Sequence, residues 1–82
     1  MPGLESSVKT LADLPRDVDG VVQEVLGQDA ISMRLMEMGI VPGTKLRLIT
    51  VAPLGDPLEF ELRGFRLSLR KAEAARVSIT TS

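Results

Sequence analysis

Neither histidine nor cysteine occurs in these 82 residues. The side chains available for chemistry are therefore carboxylates, cationic groups, hydroxyls and methionine thioethers. The commonest general base and transition-metal ligand is missing, and so are disulfides, thiolate metal sites and cysteine nucleophiles. Two close carboxylate pairs, Asp17 with Asp19 and Glu59 with Glu61, could hold a divalent ion weakly. Transition metals generally take sites that include imidazole or thiolate, so neither pair is read as a preformed metal site. No glycine-rich phosphate loop is present, and a chain this short leaves no room for a large pocket. The expectation is a protein that is not an enzyme, carries no cofactor and works by binding.

The binding candidates are few. Met33 and Met36 lie three residues apart on a predicted helix, and exposed thioethers make an adaptable docking surface. Coverage by neighbouring segments or a homodimer contact would account for them equally well. Arg34, between them, could cap backbone carbonyls or pair with a carboxylate on a partner. Leu54 sits at the tip of the loop Ala52–Pro57 and is a further candidate contact. The formal charge is −1, which gives no global pull toward nucleic acid or an anionic membrane. The charge is nevertheless polarised: residues 1–44 carry three basic and seven acidic side chains, residues 45–82 seven basic and four acidic. Arg63, Arg66, Arg70, Lys71 and Arg76 make the second half basic. With no tyrosine or tryptophan and both phenylalanines in core phase, base stacking has no platform, and nucleic-acid binding is not expected.

One small domain must position these residues, burying about 60% of the surface its unfolded chain exposes. Residues 1–10 are polar and read as a frayed end; residues 11–80 read as the folded unit. Leu11 and Leu14 flank one short turn that closes onto the core, and Asp19-Gly20 reads as a turn. Gly20–Leu26 reads as a strand. Asp29 caps a helix over Ala30–Met38, with Ile31, Leu35 and Met38 as its core stripe and Gly39 as its end. Pro42-Gly43 reads as a type II turn. Strands are predicted at Lys45–Ala52 and Leu58–Arg63, with Arg47 opposite Glu61. The hydrophobic phase slips between Leu46/Leu48 and Ile49/Val51, so a β-bulge near Leu48-Ile49 is expected to turn both pairs inward. Gly64 permits a reversal into a strand with Phe65, Leu67 and Leu69 inward. A helical turn over Lys71–Ala75 and a strand over Arg76–Thr80 complete the chain. The sum is a mainly β fold: a five-stranded, partly open barrel of SH3-like type with one helix after the first strand.

Four segments, in order, resemble the FeoA domain family. Arg34-Leu35-Met36-Glu37-Met38-Gly39-Ile40-Val41-Pro42-Gly43 is similar to the family's Arg-Leu, Gly-aliphatic, Pro-Gly hallmark. Ala52-Pro53-Leu54-Gly55-Asp56-Pro57 resembles its Ala-Pro-x-Gly-Asp-Pro loop. Gly64 to Arg70 is similar to its Gly-x-x-x-x-Leu-Arg strand, and Lys71-Ala72-Glu73-Ala74 to the residues after that strand. Leu35, Gly39, Pro42, Gly43 and Gly64 are read as structural within these segments. The resemblance implies an SH3-like barrel and a role in bacterial ferrous iron uptake, beside FeoB, the membrane transporter with a cytosolic GTPase domain. Similar domains also end DtxR-like metal-responsive repressors, which gives a regulatory domain in transcription as the alternative. Met1–Thr10 lacks the pattern of a signal peptide, and no apolar run approaches the ~20 residues of a membrane span. The expected location is cytoplasmic, at the inner membrane only through a partner.

Overall fold

The computed structural model describes residues 9–81. Six strands and two helices succeed one another: β1 (Lys9–Thr10), β2 (Asp19–Val25), α1 (Ala30–Glu37), β3 (Lys45–Val51), β4 (Leu58–Leu62), β5 (Phe65–Leu69), α2 (Lys71–Ala74) and β6 (Val77–Thr81). A 3₁₀ turn over Leu11–Asp13 comes directly after β1. The strands form one sheet in the order β1-β6-β2-β3-β4-β5, antiparallel throughout. The sixth strand is the short β1, which pairs Lys9 with Ile79 and Thr10 with Ser78. Two residues expected in a frayed end are thus in the sheet; residues 1–8 of that segment lie outside the described residues. Asp19-Gly20 is not a turn but the start of β2.

The core lies on the inner face of the sheet. Phe60, Leu46, Leu62, Val22 and Val77 supply it from the strands, and Leu11, Leu35, Ile40 and Ala74 close it from the connections. Leu11 and Leu14 are buried as expected. Gly20 makes room for Leu14: a Cβ there would meet Ile79 Cδ1 at 3.0 Å and the Leu14 methyls at 3.3 Å.

The register between β3 and β4 shifts between Leu48 and Thr50, at the slip in hydrophobic phase. The consequence expected of that bulge does not follow. Ile49 is only half-buried, being the residue the register shift leaves unpaired, and Val51 stays 39% exposed although its cross-strand partner Leu58 is buried. A second register shift, between Val22 and Glu24 on β2, has no counterpart in the hydrophobic pattern. Phe65 also departs from expectation. It is in phase with the inner face but 50% exposed, since it lies at the hairpin end of β5, where the described residues leave half of its surface open.

The helix exit is built as its residues suggest. Ile40 N–H donates to Leu35 O at 3.1 Å and Gly39 N–H to Met36 O at 3.0 Å, with Gly39 at φ 100°. This is a Schellman end, with Leu35 and Ile40 as its apolar contact. Thr44 N–H then donates to Val41 O at 3.0 Å, and Gly43 takes φ 93°, which makes Val41–Thr44 the expected type II turn.

Candidate partner-binding surface

α1 buries a narrower and rotated stripe than predicted. Its buried residues are Ser32 and Leu35, with Met38 partly buried beyond its end; Ile31 is 39% exposed. Ser32 can face inward because its hydroxyl is satisfied locally. It donates to Asp29 O at 2.9 Å and accepts from Asp29 N–H at 3.1 Å. Asp29 Oδ1 in turn accepts from Ser32 N–H at 3.1 Å, so the cap itself sets which side of the helix turns to the core. Met33 and Met36 consequently face outward, 58% and 42% exposed, and at i, i+3 they are neighbours on the helix surface.

Arg34 has a carboxylate partner within its own chain. Its guanidinium meets Glu73 of α2, and Glu73 also accepts from Arg70 N–H at 2.9 Å. The Arg34 side chain is still largely exposed. Leu54, at the tip of the β3–β4 loop, is 96% exposed. The loop is held by Ala52 N–H to Pro57 O at 3.1 Å and by Lys71 N–H to Asp56 Oδ1 at 2.8 Å. The candidate residues therefore fall on two elements, α1 and the β3–β4 loop. Both are tied to α2, one through Glu73 and the other through the Lys71 N–H. No described contact joins Leu54 to the methionines directly.

Two further ion pairs brace the frame. Arg76 donates to both oxygens of Asp29 at 2.8 Å, linking the start of α1 to the approach to β6. That hydrogen bond, with the Ser32 N–H, holds the Asp29 carboxyl well below the usual carboxylate range. Arg47 lies opposite Glu61 as expected, but it donates to Asp19 at 2.9 Å, and this bond lowers the Asp19 pKa. Asp19, one of the carboxylates considered for a cation, is thus already engaged. Among the described residues no three acidic side chains are placed to share a metal ion. A shallow, open depression of about 250 Å³ lies between β2, β3 and the β4–β5 turn, lined by Asp19, Lys45, Arg47, Glu61 and Arg63 over Leu46 and Leu62. No local pattern marks it, because its lining comes from three strands that only register brings together. No helix of the described residues is long and apolar enough to cross a membrane.

Residues 9–81 match the FeoA domain. The chain belongs to the FeoA domain family. Over 69 residues it is 30% identical to an Fe(2+) transport protein A/Fe(2+) transporter FeoB fusion protein of Porphyromonas gingivalis, covering 84% of this chain but only 8% of that protein. Among solved structures, an FeoA-like protein of Clostridium acetobutylicum superimposes with a TM-score of 0.84 at 32% identity, over 93% of this chain and 88% of the other. A Stenotrophomonas maltophilia FeoA in complex with zinc, described as a procaryotic SH3 domain protein, gives a TM-score of 0.78 at 37% identity, over 88% and 89%. The SH3-like architecture expected of the sequence is the architecture of this family.

Proposed function

We propose that this FeoA-family protein is an accessory module of bacterial ferrous iron uptake, docking on the cytosolic part of a FeoB-type transporter to modulate uptake or nucleotide hydrolysis. On this reading it catalyses no reaction, and it reaches the inner membrane only through its partner. The observation that carries the reading is the Porphyromonas relative, in which a region similar to this chain is covalently joined to FeoB. A fusion keeps its two parts at high effective concentration, a strong advantage where they must bind each other. The exposed Met33 and Met36, with Arg34 between them, are the proposed contact on α1; Leu54 is the proposed contact on the loop.

The test is co-sedimentation of the tagged protein with membranes that contain or lack the cognate transporter, with nucleotide supplied. Transporter-dependent sedimentation is the expected result, and Met33→Ser with Met36→Ser should abolish it without loss of fold. Equal retention on both membranes would remove direct docking. Unchanged binding by the double variant would remove the proposed face.

A further inference from the structure

Among the described residues, β5 ends the sheet on the side opposite β1, and its outer edge pairs with no other strand. The connection from β4 is the dipeptide Arg63-Gly64, with φ of 51° and 85°, the pattern of a type I′ hairpin turn. Leu62 and Phe65 are then the closing hydrogen-bonded pair. Alternation along the antiparallel ladder directs the main chain of Phe65, Leu67 and Leu69 toward β4. The N–H and C=O groups of Arg66 and Ser68 therefore point outward along the free edge. Both residues are exposed, and neither makes a backbone hydrogen bond in the turns, loops or caps.

Open edges are usually blunted by bulges, proline, charged side chains or a covering segment, and of these β5 carries charge, which repels a like-charged strand but not an acidic one. Here the register with β4 is continuous from Leu58↔Leu69 to Leu62↔Phe65, and the bulges lie elsewhere, on β2 and β3. Phe65 and the partly buried Leu67 add apolar surface beside the edge. Along the strand and its flanks the charges are cationic, Arg63, Arg66, Arg70 and Lys71 falling between positions 63 and 71 with no carboxylate among them. Arg66 is shared in part with Glu59 of β4, 3.9 Å away, while the other three make no side-chain ion pair with a described residue. Pairing with a second copy about Leu67 would set Arg63 against Lys71 of that copy, which like charges disfavour.

We propose that the open edge of β5 receives an extended, acidic segment of a partner protein, added to the sheet as a further strand. Main-chain bonds to Arg66 and Ser68 supply the register, the flanking cations select for carboxylates, and Phe65 with Leu67 takes alternate apolar side chains. The inference does not depend on which protein supplies the segment, so it is independent of docking on the transporter.

The test uses the full chain and a fluorescein-labelled decapeptide of alternating glutamate and valine, followed by anisotropy at low salt. The peptide is expected to bind, more weakly as salt rises. Its fully N-methylated form keeps the charge but loses the main-chain donors, and should bind about tenfold more weakly or worse. An alternating lysine–valine peptide should be weaker still. Ser68→Pro removes an N–H that faces away from β4, a position where an edge strand tolerates proline, and should also weaken binding about tenfold. Should that variant fail to fold, Arg66→Gln with Arg63→Gln supplies the loss of binding on a folded chain. Absence of peptide binding, or equal binding of the N-methylated peptide, overturns the proposal. So does tighter binding of an oligothymidylate, which assigns the cations to nucleic acid. A Ser68→Pro-sensitive dimer in sedimentation that excludes the peptide assigns the edge to a second copy.

Discussion

Asp29 joins two parts of the chain through one carboxylate: it caps α1 by accepting from Ser32 N–H and receives both Nη atoms of Arg76, while its main chain holds the Ser32 hydroxyl. Its folded-state pKa lies below its unfolded value, so the native state holds the proton less readily than the unfolded chain. The stability this contributes is fully present above the unfolded pKa of about 4 and is lost as pH falls from there toward the native value. Asp29→Asn keeps a capping side chain but removes the titration. Melting curves by circular dichroism from pH 7 to pH 2 should show the wild-type chain losing its advantage over the variant below about pH 4. At Gly39 the constraint is backbone: φ is 100°, while a Cβ would meet only Leu62 Cδ1, at 3.7 Å. Gly39→Ala should therefore cost about 1–2 kcal/mol through left-handed strain alone, with no clash to relieve.

Within α1, the residues that fold the helix are distinct from those free to bind. Leu35 is fully buried and closes the Schellman end with Ile40, so Leu35→Ala should cost about 2–5 kcal/mol in denaturant unfolding. Met33→Ser with Met36→Ser, on the exposed face, should alter stability by no more than about 0.5 kcal/mol per site. The helix ends are legible in the sequence because caps are local: Asp29 at one end, Gly39 at the other. Periodicity alone misplaces the buried stripe. An eight-residue helix allows more than one choice of face, and the hydroxyl bonds of Ser32 decide between them. Leu54 and Phe65 make a parallel contrast. One is recognisable as a loop tip from its prolines and glycine; the other looks like core because its strand phase is right.

Across the molecule, the pairings that close the sheet are distant in sequence: β2 meets β6, and β1 meets β6. Loop closure then precedes much of the burial, so the main folding phase should fall in the millisecond-to-second range of non-local β folds. With no tryptophan or tyrosine, stopped-flow far-UV circular dichroism is the suitable probe. Burst-phase amplitude would count against two-state folding. Residue order alone is enough for what acts over a few positions: the helix caps, the Pro42-Gly43 turn, the Gly64 reversal, the bulge at Leu48, and the absence of histidine and cysteine chemistry. The order of the motifs is enough to point to the family. Features that depend on distant chain meeting emerge in three dimensions: the sixth strand at Lys9–Thr10, the partners of Arg34 and Arg76, the exposure of Phe65, and the open edge of β5. Residue type and spacing encode local hydrogen bonds and phase. Which face is covered, and which edge is left without a neighbour, is set only when strands far apart in the chain come into register.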